Sequence, residues 1–309
     1  MAVDLSTSLG ALKLKSPTLT ASGCAAAGKE LAQFGDVATL GAVVTKSIMQ
    51  NARSGRATPR MAETPSGMLN SIGLQGPGVE QFIEKDLAWL LEHNVTTIVS
   101  IAGGTVAEFA ALAARLRDEP GIAALEVNIS CPNVESRGQV FACNHQSASE
   151  VISAVRGEWT SDAPILAKLT PDVTDIVSIA ESVVEAGADG LSMINTLLGM
   201  VIDVDAMRPV LGGKTGGLSG PAIRPVAVRA VYQVHAALPE TPILGMGGIR
   251  TGHDALEFLA AGASAVSIGT VVFGDPSAPW RVARELSAEL EQRGYNSVSE
   301  VIGKAHQAN

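Results

Sequence analysis

PILGMGGIRTGHDALEFLAAGASAVSIGT, Pro242–Thr270, holds one full structural period of the chain. It opens on a short apolar run, Pro242–Met246, and passes through the glycine-rich GMGGIRTG, Gly245–Gly252. Apolar residues then recur at helical spacing over Gly252–Ala261. A second apolar run, Ala263–Ile268, follows and ends on Gly269 and Thr270. Both runs are apolar at successive positions, the pattern of a parallel strand covered on two faces. Strand, helix and strand in this order make a βαβ unit.

The same period extends toward the N-terminus. Further apolar runs occupy Thr18–Ser22, Ala42–Lys46, Thr96–Ile101, Ala124–Ser130, Pro164–Leu169 and Gly190–Asn195, making eight in all. Helical patterns lie between or after them at Glu108–Asp118, Asp172–Ala186, Pro225–Leu238 and Ala278–Arg293. Asp172–Ala186 follows Pro171, carries acidic residues in its first turn and stops at Gly187, which matches helix start and stop signals. Eight strands alternating with helices predict an α/β fold, a (β/α)8 TIM barrel, with a doubly wound sheet as the rival. The 309 residues suit one barrel domain spanning 1–309. Two longer stretches, Ser47–Gly78 and Thr196–Ala222, read as irregular loops, and loops of such length in a compact domain are usually functional.

Composition narrows the function. Hydrophobic residues at 46% and charged residues at 17% supply a large core and argue against disorder. With Lys+Arg at 22 against Asp+Glu at 31, the net charge of -9 disfavours nucleic acid and anionic membrane as partners. No apolar stretch is long enough to span a bilayer, and MAVDLSTSLG does not read as a secretory signal. Three widely spaced cysteines, Cys24, Cys131 and Cys143, point to a reducing, cytoplasmic setting. They are too few to hold an ordinary iron–sulfur cluster within this chain. No histidine or carboxylate pattern suggests a metal site.

In a barrel the chemistry sits at the C-terminal mouth, so the residues ending the strands matter most. Those ends read Ser22, Lys46, Ser100, Asn128, Lys168, Asn195, Gly247 and Gly269. A single lysine at a strand end is ordinarily a solvated boundary residue. Two lysines and two asparagines on four strands of one barrel are a site. Gly247 and Gly248 after strand 7, with Gly269 and Thr270 after strand 8, suit a phosphate, because bare N–H groups can close on an anion there. Arg250 stands where a dinucleotide fingerprint needs its third glycine, so a mononucleotide-like phosphate such as that of flavin mononucleotide (FMN) fits better. NISCPN, Asn128–Asn133, sets the thiol of Cys131 just past strand 4, outside the apolar run. A thiol there, unlike a buried structural cysteine, can act as nucleophile or general base. A lid is expected over Val134–Gln146, with His145 beside it, and no Cys/His arrangement of a hydrolase is present. NSIGLQGPG, Asn70–Gly78, and MINTLLG, Met193–Gly199, add Asn70, Asn195 and Thr196, side chains suited to a small polar anionic ring.

Taken together, ASG (Ala21–Gly23), VTKS (Val44–Ser47), NSIGLQGPG, NISCPN, INTLLGM (Ile194–Met200), KTGGLSGPA (Lys214–Ala222), GMGGI and IGT make the chain resemble class 1 dihydroorotate dehydrogenases. The likeness covers nearly the whole length and is strongest to the catalytic subunit of class 1B, the NAD-linked enzymes. It implies an N-terminal β-hairpin, long βα loops over the mouth, one FMN per chain and the oxidation of dihydroorotate to orotate in pyrimidine biosynthesis. It implies that Ser22, Lys46, Ser47, Ser100, Asn128, Lys168, Ile194, Gly220, Gly247, Gly248, Gly269 and Thr270 hold FMN. Dihydroorotate would be bound by Lys46, by Asn70, Ser71, Ile72, Gly73 and Leu74, and by Asn128, Asn195 and Thr196. The catalytic residues would be Cys131, Lys46 and Lys168, with Cys131 the base and Lys168 the cation beside the flavin. A homodimer is implied, or a heterotetramer with an electron-transfer subunit bearing FAD and a [2Fe–2S] cluster. The chain departs from the usual pattern at Ser100, where the family has Asn, at Gly76, at Cys24–Gly28 and at Ser136–Asn144. Two other readings share the barrel: a dihydropyrimidine dehydrogenase-like catalytic subunit, and a flavin-less binding or assembly subunit.

Overall fold

A computed structural model describes residues 3–130 and 141–307. Eight parallel strands form the central sheet: β1 Thr18–Thr20, β2 Val43–Val44, β3 Thr97–Ile101, β4 Ile122–Asn128, β5 Ile165–Leu169, β6 Gly190–Met193, β7 Ile243–Met246 and β8 Ala265–Ile268. From β2 to β8 each strand pairs with the next in sequence, and β8 pairs with β1. Between β1 and β2 the ring is drawn together by hydrogen bonds from Gly41 N to Thr18 O (2.9 Å), Thr20 N to Ala42 O (3.3 Å) and Val44 N to Thr20 Oγ1 (2.9 Å). The helices are α1 over residues 79–92, which contains a π-helical stretch at Phe82–Leu87, α2 Val106–Leu116, α3 His145–Glu158, α4 Ile176–Glu185, α5 Arg224–Ala237, α6 Gly252–Ala260 and α7 Ala278–Gln292. This is the (β/α)8 barrel that the alternating pattern predicts.

The two-faced apolar runs have a direct cause. In β5, Ile165, Ala167 and Leu169 join the layer between sheet and helices, whereas Leu166 joins the barrel interior. The interior cluster also takes Leu19, Val44, Ile98, Ala124 and Leu244 from the other strands. A hairpin, Thr7–Leu9 with Leu12–Leu14, closes the bottom by adding Leu9 and Leu14 to that cluster. No helix follows β1; two 3-10 turns at Leu31–Gln33 and Val37–Thr39 cover the outside of β2 instead. Leu9 is fully buried, so Leu9→Ala is expected to cost about 3 kcal/mol, seen as a lower urea midpoint.

Three expectations need correction. The stretches 47–78 and 196–222 are not wholly irregular. They pair with each other in a four-stranded antiparallel sheet, ordered Leu197–Gly199, Gly216–Ser219, Gly67–Asn70, Met61–Thr64. Helix α4 begins at Ile176, not Asp172, because the Asp175 side chain caps it by accepting from Val177 N and Ser178 N. The Asp172 carboxylate accepts from Leu198 N at 3.1 Å, tying the end of β5 to the sheet over the mouth. Helices α1 and α3 were not among the expected elements. Among the described residues, no helix is long and apolar enough to cross a membrane.

Candidate active site

The strand ends and the overlying sheet enclose a cavity of about 400 Å³. That size suits one small cofactor or ligand. Ser22, Lys46, Ser47, Asn128 and Lys168 line it from β1, β2, β4 and β5. Ile194, Asn195, Thr196 and Gly220 line it from the β6 side, and Gly247, Gly248, Gly269 and Thr270 from β7 and β8. Asn70, Ile72, Gly73 and Leu74 descend onto it from the covering sheet. Ser100 and Ser71 do not line it. Ser100 is fully buried and its Oγ lies 2.9 Å from Ser47 Oγ, so it backs a lining residue. Ser71 is also fully buried, and its Oγ accepts from Arg56 Nη1 at 3.2 Å. Cys131, Pro132, Asn133 and most of the expected lid lie outside the described residues. His145 starts α3 on the exposed surface.

The polar wall is a connected ladder. Asn128 Nδ2 donates to Ser47 Oγ at 2.9 Å. Asn128 Oδ1 accepts from Ser130 Oγ at 2.9 Å, and Asn195 Nδ2 donates to that same Ser130 Oγ at 2.6 Å. Thr196 N donates to Asn195 Oδ1 at 2.8 Å. The ends of alternate strands β2, β4 and β6 thereby lock one another's polar side chains, which fixes their orientation before a ligand arrives. Beside Asn128 on the next strand, Lys168 Nζ donates to Ser22 Oγ at 2.6 Å. Lys46 and Lys168 give the cavity a positive field despite the acidic chain.

The glycine corner passes a test for an anion. Gly248 has φ +78, and a Cβ there would stand 2.6 Å from Gly220 O. At Gly247, φ is +134 and a Cβ would lie 2.7 Å from Ala227 Cβ. Only glycine lets the backbone run so close. Among the described residues, the N–H groups of Gly247, Gly248 and Gly269 donate to no backbone carbonyl. The start of α6 is a poorer anion site, because the Asp254 carboxylate already accepts from Arg250 N (2.8 Å) and Thr251 N (3.1 Å) and pairs with Arg224. The available donors are thus the glycines and the 3-10 turn at Thr270–Phe273. Ser267 Oγ, on the cavity wall, is buried without a partner. An anionic group such as a phosphate fits this set of donors.

Residue-type reasoning passed over Cys24, Arg250 and Ser267, which also line the cavity. Burial pushes the Cys24 thiol up to about 11, against the opposing pull of Lys168 and Lys46. At neutral pH it is therefore a neutral thiol and a poor base. Loss of a general base costs roughly 10²–10⁴-fold, whereas Cys24→Ser is expected to keep the turnover rate within about threefold, as steady-state assays would show.

Comparison with known proteins agrees with this geometry. The chain matches the family described as Dihydroorotate dehydrogenase over residues 4–290. It is 50% identical over 306 residues to the dihydroorotate dehydrogenase B (NAD(+)), catalytic subunit, of Desulforudis audaxviator, covering 99% of each chain. The protein of that name from Anoxybacillus flavithermus is 48% identical over 301 residues, 97% of this chain and 96% of the relative. The one from Geobacter sp. is 47% identical over 300 residues, 97% of each. With its barrel, its glycine corner and this near-full-length similarity, the chain belongs to the dihydroorotate dehydrogenase family.

Proposed function

We propose that this chain is an NAD-linked dihydroorotate dehydrogenase catalytic subunit that oxidises (S)-dihydroorotate to orotate with a bound FMN. The observation that carries the reading is the meeting, in one cavity, of a glycine corner, two lysines and a locked amide ladder. The N–H groups of Gly247, Gly248 and Gly269 and the Thr270 hydroxyl hold the FMN phosphate. Ser22, Ser47, Ile194 and Gly220 flank the rest of the cofactor, and Lys168 supplies a cation at its edge. Lys46 and the Asn70–Leu74 segment bind the substrate carboxylate, while Asn128, Asn195 and Thr196 bind its amides.

Oxidation removes a proton from C5 and a hydride from C6, leaving a C5=C6 double bond. FMN, when bound, supplies the acceptor for that hydride. Cys131 takes the proton. Its sequence neighbour Ser130 is pinned to Asn128 and Asn195, which supports a base at this rim. An ordinary thiol ionises near pH 8.5, so Cys131 needs nearby cations or amide donors to serve as a base at neutral pH.

The relatives' names speak of NAD(+) and of a catalytic subunit, which supports transfer of electrons to NAD through a second subunit; the resemblance implies that this partner carries FAD and a [2Fe–2S] cluster. The free thiols of Cys24 and Cys143 agree with a reducing, cytoplasmic setting. A homodimer of this chain, joined by two such partners, is the assembly that follows from the resemblance. Orotate is expected to perturb the visible flavin spectrum of the purified protein, and uracil is not. A response to uracil alone would favour a dihydropyrimidine dehydrogenase, and a colourless protein without FMN affinity would favour a flavin-less subunit. NAD reduction is expected only when the partner subunit is added.

A further inference from the structure

Glu126 lies on β4, two residues before Asn128, in a run that otherwise reads as apolar. It is fully buried, and neither carboxylate oxygen has a hydrogen-bond partner. The nearest opposite charge is Lys168 Nζ, 3.6 Å from Glu126 Oε1. That is too long for a hydrogen bond, and the ammonium instead donates to Ser22 Oγ at 2.6 Å. Among the ion pairs of the described residues, this is the one whose side chains are both nearly inaccessible, at 5% and 0% exposure. A buried carboxylate without a countercharge is strongly disfavoured, so each of the two ions depends on the other. Register sets Lys168, which lines the cavity, beside Asn128 on one side and Ser192 on the other, and sets Glu126 level with Leu166, two residues further from the mouth.

We infer that Glu126 is a positioning residue: a buried countercharge that holds the Lys168 ammonium at the cavity wall and offsets its field toward the bound flavin. The inference rests on the FMN reading above for its second half only. Pulled toward Glu126 from below and toward Ser22 from above, the ammonium is confined to one place. Removing the carboxylate charge leaves Lys168 uncompensated, which favours the more negative, reduced state of the cofactor.

The test uses the full chain. In the FMN-loaded protein, Glu126→Gln is expected to raise the reduced-to-oxidised ratio about tenfold at fixed potential, a positive shift of about 30 mV for a two-electron couple. Glu126→Asp, which keeps the charge, returns the potential toward the parent value. Without added flavin, Lys168→Met strands the carboxylate and lowers the melting temperature by about 10 °C. Combining it with Glu126→Gln recovers most of that loss. An unmoved potential in Glu126→Gln, or a double variant no more stable than Lys168→Met alone, overturns the inference. If the parent protein takes up no FMN, the functional reading falls, and the flavin-free melting cycle still decides whether Glu126 and Lys168 are coupled.

Discussion

Cys131→Ser is expected to bind FMN as the parent protein does and to reduce it roughly 10²–10⁴-fold more slowly at neutral pH, the range lost with a general base. The serine hydroxyl ionises far above a thiol, so the residual activity should climb with pH where the parent levels off. FMN binding is spared because the residues assigned to its phosphate lie on the β7 and β8 side of the cavity, apart from the loop after β4. Stopped-flow absorbance after mixing with dihydroorotate separates the two effects. Reduction at the parent rate would remove Cys131 from the mechanism, and loss of the flavin itself would assign it a binding role instead.

Gly248→Ala carries the other large effect. At φ +78 a side chain costs about 1–2 kcal/mol in backbone strain. The added Cβ would also stand 2.6 Å from Gly220 O, a backbone atom that cannot swing aside. The β7 loop or the Gly220 turn must retreat, and both line the cavity. A combined penalty near 3 kcal/mol corresponds to roughly a hundredfold weaker FMN binding. Fluorescence titration with FMN is the direct reading. An unchanged dissociation constant would show that the glycine corner is a turn and not a phosphate cradle.

The barrel was legible because each strand is buried on two faces, and that leaves a run such as Ile165–Leu169 with almost no polar residue. The sheet over the mouth was not legible. Its strands are short and glycine-rich, and Gly216–Ser219 finds its partner Gly67–Asn70 far away in sequence. A local pattern holds no trace of such pairing. Helix α1 was hidden behind the Gly78 turn, and its π-helical segment breaks the ordinary helical period. Most strand-end residues do reach the cavity, since a barrel directs them there. Ser100 shows where that logic stops, because a strand position gives a face but not a depth, and Ser47 stands between it and the cavity. Glu126 was lost for the opposite reason: one charge inside an apolar run looks like an exception until its partner on the next strand is seen.

Transfer of a hydride from dihydroorotate to a flavin held in this cavity is the step on which every assigned role depends. Anaerobic titration of the FMN-loaded protein with dihydroorotate measures that transfer most directly. The visible flavin band should bleach in proportion to substrate added, with orotate released in equal amount and no partner subunit present. A band that persists under excess dihydroorotate would contradict the account.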